Sequence, residues 1–228
     1  VVGWTEVDRP LVAVATVEPS SVDRAIAGFV AERVPDGATI QAGIGSIPNA
    51  LLGALGGHRD LGVHTEMLSD GLIDLVERGV VNGSRKSASP GKVVATFALG
   101  SQALYDFIDE NSAIELRPVD RVNDPRVIAG EPCFISINAA VEVDLMGQCA
   151  SETVNGKYWS SSGGQADFAR GAMYSPNGRG FLVLPSTARE GAVSRIRPAL
   201  TRGSVVTTLK NTVDQVVTEY GVAQMRGR

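Results

Sequence analysis

The chain has 228 residues, enough to bury a core without a disulfide or metal staple. Hydrophobic residues make up 43% and charged residues 20%, which excludes a disordered polymer. The 21 basic residues against 25 acidic ones give a formal charge of −4, which argues against nucleic acid and anionic membrane as partners. Cys133 and Cys149 lack CxxC spacing and read as small hydrophobes in a reducing cytoplasm. No apolar run has the length of a membrane span, so a cytoplasmic location is expected. There are 26 glycines, which implies many turns or close backbone approaches.

Residues 1–19 are rich in Val and Pro and read as a linker or entry segment. Ser20 and Asp23 have capping-box form, and Val22, Ile26, Phe29, Val30 and Val34 follow at helical spacing until Pro35-Asp36-Gly37. Ala38 to Gln41 predicts a strand, and Asn49 to Leu55 a helix with Pro48 at its first position. Leu61 to His64 predicts a strand, and Ser69-Asp70 a cap for the helix of Leu72, Ile73, Leu75 and Val76. Lys92 to Leu99 is an apolar strand, followed by a helix opened by Gly100-Ser101. Phe134 to Ile137 and Val141 to Leu145 are β-rich, Gln165 to Met173 is helical, and Asn177-Gly178 marks a turn before the strand Phe181 to Leu184. Val205 to Leu209 and Val216 to Thr218 complete the strand candidates. Alternating strands and helices predict an α/β fold, an open and largely parallel sheet flanked by helices, with no domain boundary after residue 20.

In such sheets ligands bind beyond the carboxyl ends of the strands. Four segments fall there. Gly43-Ile44-Gly45-Ser46-Ile47-Pro48 reads either as a tight βα turn or as backbone donors facing an anion at a helix N-terminus. Glu66 follows a strand and precedes a helix, and reads either as a site carboxylate or as a helix-entry acid. His64 has no second ligand at metal spacing, so a hydrogen-bonded core histidine is expected and no metal site is visible. Ser160-Ser161-Ser162-Gly163-Gly164 before Gln165 offers a phosphate cradle, an oxyanion hole or a flexible loop. Arg170 can pair with a phosphate or with Asp167. Pro185 to Gly191 brings Arg189 to a further strand end, where a solvated turn is the plain alternative. With two histidines and no GxSxG, a Ser-His-Asp hydrolase is not supported.

Taken together, these motifs carry a resemblance. Gln41-x-Gly-Ile-Gly-x-Ile-Pro-Asn-Ala, Leu61-Gly-Val-His-Thr-Glu-Met-Leu-Ser-Asp-Gly, Ser136-Ile-Asn-Ala-Ala-Val-Glu-Val-Asp-Leu-Met-Gly-Gln, Gly163-Gly-Gln-Ala-Asp-Phe-Ala-Arg-Gly-Ala and Val217-Thr-Glu-Tyr-Gly-Val-Ala resemble the acetyl-CoA hydrolase/transferase family, 4-hydroxybutyrate CoA-transferases in particular. The resemblance runs from about Ser20 to Arg228 and implies the C-terminal half of a two-domain enzyme of CoA-transferase (NagB/RpiA-like) fold. The start without Met fits a truncated domain, residues 20–228, whose N-terminal partner domain is absent. Weak or no turnover is then expected of this chain alone.

By this resemblance Glu66 is the catalytic glutamate and Gly164 a backbone oxyanion donor. Gly43, Gly45, Asn123, Gly163, Gln165 and Arg189 fall at the substrate and CoA site, with Arg189 where relatives often carry Lys. The implied reaction moves CoA between a short-chain acyl-CoA and a carboxylate through covalent glutamyl intermediates. CoA enters as substrate, with no permanently bound cofactor, and a homo-oligomer is implied. Two alternatives stand beside it: an acyl-CoA hydrolase, and a non-catalytic CoA- or nucleotide-binding module.

Overall fold

A computed structural model of the chain describes residues 3–15, 17–43 and 45–227. Ile44 of the glycine loop, Val1, Val2, Thr16 and Arg228 lie outside the described residues. The described residues up to Pro19 form no regular element and are largely exposed. Val14 N donates to Gly100 O at 2.9 Å and Tyr105 Oη to Val12 O at 2.8 Å, which lays this segment along the body.

Helix α1 spans Ser21–Ala31, and its capping box is formed: Ser20 Oγ accepts from Asp23 N while the Asp23 carboxylate accepts from Ser20 N. Val34, at the end of the apolar spacing, lies beyond the helix yet is buried. Strand β1 is Thr39–Ala42 and helix α2 Ser46–Ala54. Helix α2 starts before Asn49, so Pro48 is its third residue and not its first. Proline is tolerated there because first-turn amides have no intrahelical acceptor.

Strand β2, Gly62–Leu68, outruns the expected 61–64 and contains Glu66 within it. Pairing with β3 sustains the extension, since Thr65, Met67 and Leu68 align with Ala95, Phe97 and Ala98, whereas the pairing with β1 ends at Val63. Helix α3 is Gly71–Glu77, strand β3 Val93–Ala98 and helix α4 Gln102–Ile108. The Asp70 carboxylate accepts from Ser101 N and Oγ, tying the start of α3 to that of α4.

Three short elements follow that apolar periodicity does not announce: β4 Ile114–Leu116, α5 Val119–Val122 and α6 Pro125–Ala129. Strand β5 is Phe134–Ala139. Strands β6 (Glu142–Asp144), β7 (Cys149–Ala150), β8 (Thr153–Val154) and β9 (Lys157–Tyr158) make small antiparallel pairs before helix α7, Gln165–Tyr174. The chain closes with β10 (Arg179–Val183), β11 (Thr187–Ala188), β12 (Val193–Ser194), β13 (Ile196–Arg197), β14 (Gln215–Thr218) and β15 (Gly221–Gln224).

Residues 205–209 do not form the expected strand; Thr208 makes one isolated bridge to Cys149. Their polar side chains are used locally instead, Thr207 Oγ1 donating to Glu152 and Thr208 Oγ1 accepting from Gln165 Nε2.

The main sheet has eight strands in the order β15-β14-β10-β5-β1-β2-β3-β4. All pairs are parallel except β14 with β15, so the sheet is open, mixed and largely parallel, as expected. Side chains alternate between its faces. Ile40, Val63, Ile135, Ile137, Phe181 and Val183 pack beneath α1 and α2. On the other face Val94, Phe134 and Phe168 pack with Val122 of α5 and Ile128 of α6. Phe134 and Phe168 stack with ring centroids 6.2 Å apart. Phe134→Ala should cost about 3–5 kcal/mol by leaving a cavity under α7, a loss urea unfolding would measure.

Cys149 is buried and Cys133 partly so. Burial pushes the Cys149 thiol up to about 11, so it remains protonated near neutral pH. Iodoacetamide on the native protein should therefore spare Cys149 and label it only after unfolding, which peptide mass spectrometry reads directly.

Candidate active site

Position 66 shares a face of β2 with position 64, two residues back along the pleat. His64 is buried, its ring edge-on to Phe134 and Phe168, and its Nε2 lies 2.7 Å from Val122 O. A carbonyl only accepts, so Nε2 carries the proton. Burial lowers the His64 pKa, against the pull of the Val122 carbonyl, and keeps the ring neutral. His64 is thus the hydrogen-bonded core histidine that its isolation in the sequence suggests.

The same contact fixes the next residue. Asn123 caps the C-terminus of α5, and its Nδ2 donates to Glu66 Oε2 at 2.6 Å. Asn123 Oδ1 is buried and has no hydrogen-bond partner among the described residues. Gly164 closes the third side. It is buried at the N-cap of α7, and a Cβ there would overlap both Glu66 Oε2 and Asn123 Nδ2. Only glycine lets the backbone lie this close to the carboxylate. Among the described residues no side chain caps α7, so its first amides have no intrahelical acceptor and present the positive end of the helix dipole beside Glu66.

Two cavities meet at Glu66. The inner one, about 320 Å³, runs between β1, β2 and β5 past Gln41, Gly43, Met67, Phe97 and Asn138. The outer one, about 600 Å³, passes Val119, Asn123, Asp124, Arg126 and Asp167. Ser161, Ser162 and Gly163 border both. The outer wall is acidic. Arg126 is already engaged by Asp124, whose carboxyl its guanidinium holds down at about 2. Burial, and then the Glu66 charge, push the Asp167 carboxyl upward while Arg170 opposes.

The structure therefore gathers Glu66, Asn123, Gly43, Gly163, Gly164 and Gln165 around these cavities. The Gln165 side chain turns into the body, where Nε2 donates to Thr208 Oγ1 at 3.0 Å. Gly45 stands at the N-cap of α2 with a φ of 120°, outside the lining of either cavity. Arg189 sits exposed in the turn between β11 and β12 with a φ of 51°, and it lines neither cavity.

Sequence reasoning on residue types alone misses Asn123, which lies in no periodic element. It also misses the buried set of Gln41, Ser136 and Asn138. The available signal was polar side chains at positions of otherwise apolar strands. Among the described residues no cluster of three His, Cys, Asp or Glu could hold a metal ion, and no helix is long and apolar enough to cross a membrane.

Comparison with known proteins now adds to this geometry. The model of the acetyl-CoA hydrolase/transferase C-terminal domain matches residues 100–228. A succinyl-CoA:cyclohexane-1-carboxylate CoA transferase of Geobacter metallireducens is 51% identical over 98% of this chain. A 4-hydroxybutyrate coenzyme A transferase of Clostridium kluyveri is 47% identical over 98% of it. The crystal structure of RipA from Yersinia pestis superposes with a TM-score of 0.92 at 43% identity, covering 96% of this chain and 50% of that one. The chain spans about half the length of the curated relatives it matches, 51% and 52% for these two. Sequence and fold agree that the chain belongs to the acetyl-CoA hydrolase/transferase family.

Proposed function

We propose that this chain is the glutamate-bearing half of a CoA-transferase that moves CoA from a short-chain acyl-CoA to a carboxylate. The observation that carries the reading is the Glu66 carboxylate, held by Asn123 at 2.6 Å and pressed against the Gly164 backbone where two cavities meet.

A carboxylate needs no base to release its lone pair, so placement and partial desolvation activate it. One Glu66 oxygen attacks the thioester carbonyl carbon, and the C–S bond breaks to release CoA thiolate and leave an acyl-glutamyl anhydride. The thiolate then attacks the glutamyl carbonyl and expels the acyl carboxylate, forming a glutamyl-CoA thioester. An incoming carboxylate runs the two steps in reverse. Each tetrahedral intermediate carries an oxyanion, for which the Gly164 amide and the open end of α7 supply donors. The outer cavity, lined by Asp120, Asp124 and Asp167, suits the uncharged pantetheine arm better than the CoA phosphates. The other half of the full-length polypeptide supplies the opposing wall and the second oxyanion donor.

The test is covalent capture. The full-length enzyme incubated with acyl-CoA should yield a Glu66 peptide heavier by CoA less water. An active enzyme that never yields this adduct would falsify the mechanism.

A further inference from the structure

Among the described residues, two buried side-chain polar atoms have no hydrogen-bond partner: Thr96 Oγ1 and Asn123 Oδ1. Both belong to the surroundings of Glu66. Strands β2 and β3 align Thr65 with Ala95 and Met67 with Phe97, so Thr96 falls at the register position of Glu66. Two residues back, the His64 ring meets Phe134 and Phe168, and Val94 packs in the same cluster as those rings. Alternation along the pleat puts Glu66 and Thr96 on that face too. Asn123 reaches it from the end of α5, directly after Val122, whose side chain joins the cluster and whose carbonyl accepts from His64.

Buried polar groups without a partner lower stability, and native structures keep few of them. These two are complementary: the hydroxyl has a proton to donate, and the amide oxygen has lone pairs to accept it. In the resting enzyme the other edge of the amide is committed. A carboxylate only accepts, so Asn123 Nδ2 faces Glu66 Oε2, at the short distance of a charge-assisted bond, 2.6 Å. Acylation of Glu66 removes that charge. The bond from Nδ2 becomes a neutral one, about half as strong, and the amide is held least firmly when an oxyanion must form on the glutamyl carbon.

We infer that Thr96 is a positioning residue for the covalent intermediates: once Glu66 is acylated, the Thr96 hydroxyl donates to Asn123 Oδ1 and keeps Nδ2 turned toward the glutamyl oxygen. The bond is absent in the resting enzyme and made in the later steps, so it lowers the barrier and not the ground state. This inference rests on the proposed covalent role of Glu66.

The experiment is steady-state CoA exchange into acetate by the full-length enzyme, with Thr96→Val, which keeps the shape and removes the hydroxyl, and Thr96→Ser, which keeps the hydroxyl. Thr96→Val should lower kcat about tenfold and leave KM for acyl-CoA unchanged. Its thermal midpoint should hold or rise, because the lost hydroxyl has no partner in the resting enzyme. Thr96→Ser should restore most of kcat. In an Asn123→Ala background Thr96→Val should cost nothing further, since the two act as one unit. Full kcat in Thr96→Val, an equal loss in Thr96→Ser, or losses that multiply with Asn123→Ala overturn the inference. So does a Thr96→Val enzyme that melts lower or fails to fold, because the hydroxyl then has a structural partner already. The Glu66 adduct of the unsubstituted enzyme is read separately. Its absence in an active enzyme overturns the covalent reading, whereas an adduct beside an indifferent Thr96→Val overturns this inference alone.

Discussion

Glu66→Gln in the full-length enzyme lowers CoA transfer by on the order of 10⁴-fold or more, because it removes the attacking atom itself. Glutamine keeps the size of the side chain, and its Oε1 can still accept from Asn123 Nδ2, which now bonds Glu66 at 2.6 Å. Binding of acyl-CoA should therefore change little, and thermal stability with it. The assay is exchange of CoA into acetate, run beside mass spectrometry of the Glu66 peptide. Both signals should vanish together. A variant that retains turnover within about tenfold would reassign the nucleophile, and would favour a module that binds CoA without reacting.

The second large effect is Gly164→Ala. An added methyl would occupy the space of Glu66 Oε2 and Asn123 Nδ2 and crowd the Phe168 ring, 3.1 Å from the new carbon. Either the carboxylate swings away or α7 backs off, and both separate the nucleophile from its backbone donor. A displacement of about 1 Å is enough to cost on the order of 10²-fold in kcat. Gly53→Ala serves as the control. It lies within α2 with open space around the position, so activity should be unchanged and the helix slightly firmer, by about 1 kcal/mol or less. If Gly164→Ala turns over normally, the backbone at 164 is not part of the oxyanion site.

Much of this architecture could be read from residue order. The capping box at Ser20 and Asp23 forms, and the apolar strands at 93–98, 134–139 and 179–183 sit where composition put them. What escaped were elements without a period. Helices α5 and α6 have four and five residues, too short to show a stripe, and they are held by what packs on them. Ile128 of α6 lies so close to α7 that Gly171 there could carry no side chain without shifting it. The Asn123 position depends on that packing and on His64, a tertiary contact no local spacing encodes. Glu66 was legible as a strand-end acid, but the boundary was wrong. The neighbouring strand β3 carries the ladder on past it. Val205 to Leu209 erred in the other direction, since β-rich composition does not specify a partner.

That Glu66 lies within an inner strand has a consequence for how the site breathes. Its strand is flanked on both sides in the sheet, whereas Ser160 to Gly163 are exposed and belong to no helix or strand. Amide deuterium uptake should differ accordingly: His64 to Glu66 exchange only with opening of the whole sheet, and 160–163 within the earliest time points. The nucleophile is then a fixed post, and the segment bordering both cavities is the part expected to open first. Variation in that loop can retune which chain enters, and how fast CoA leaves, without disturbing the atom that reacts.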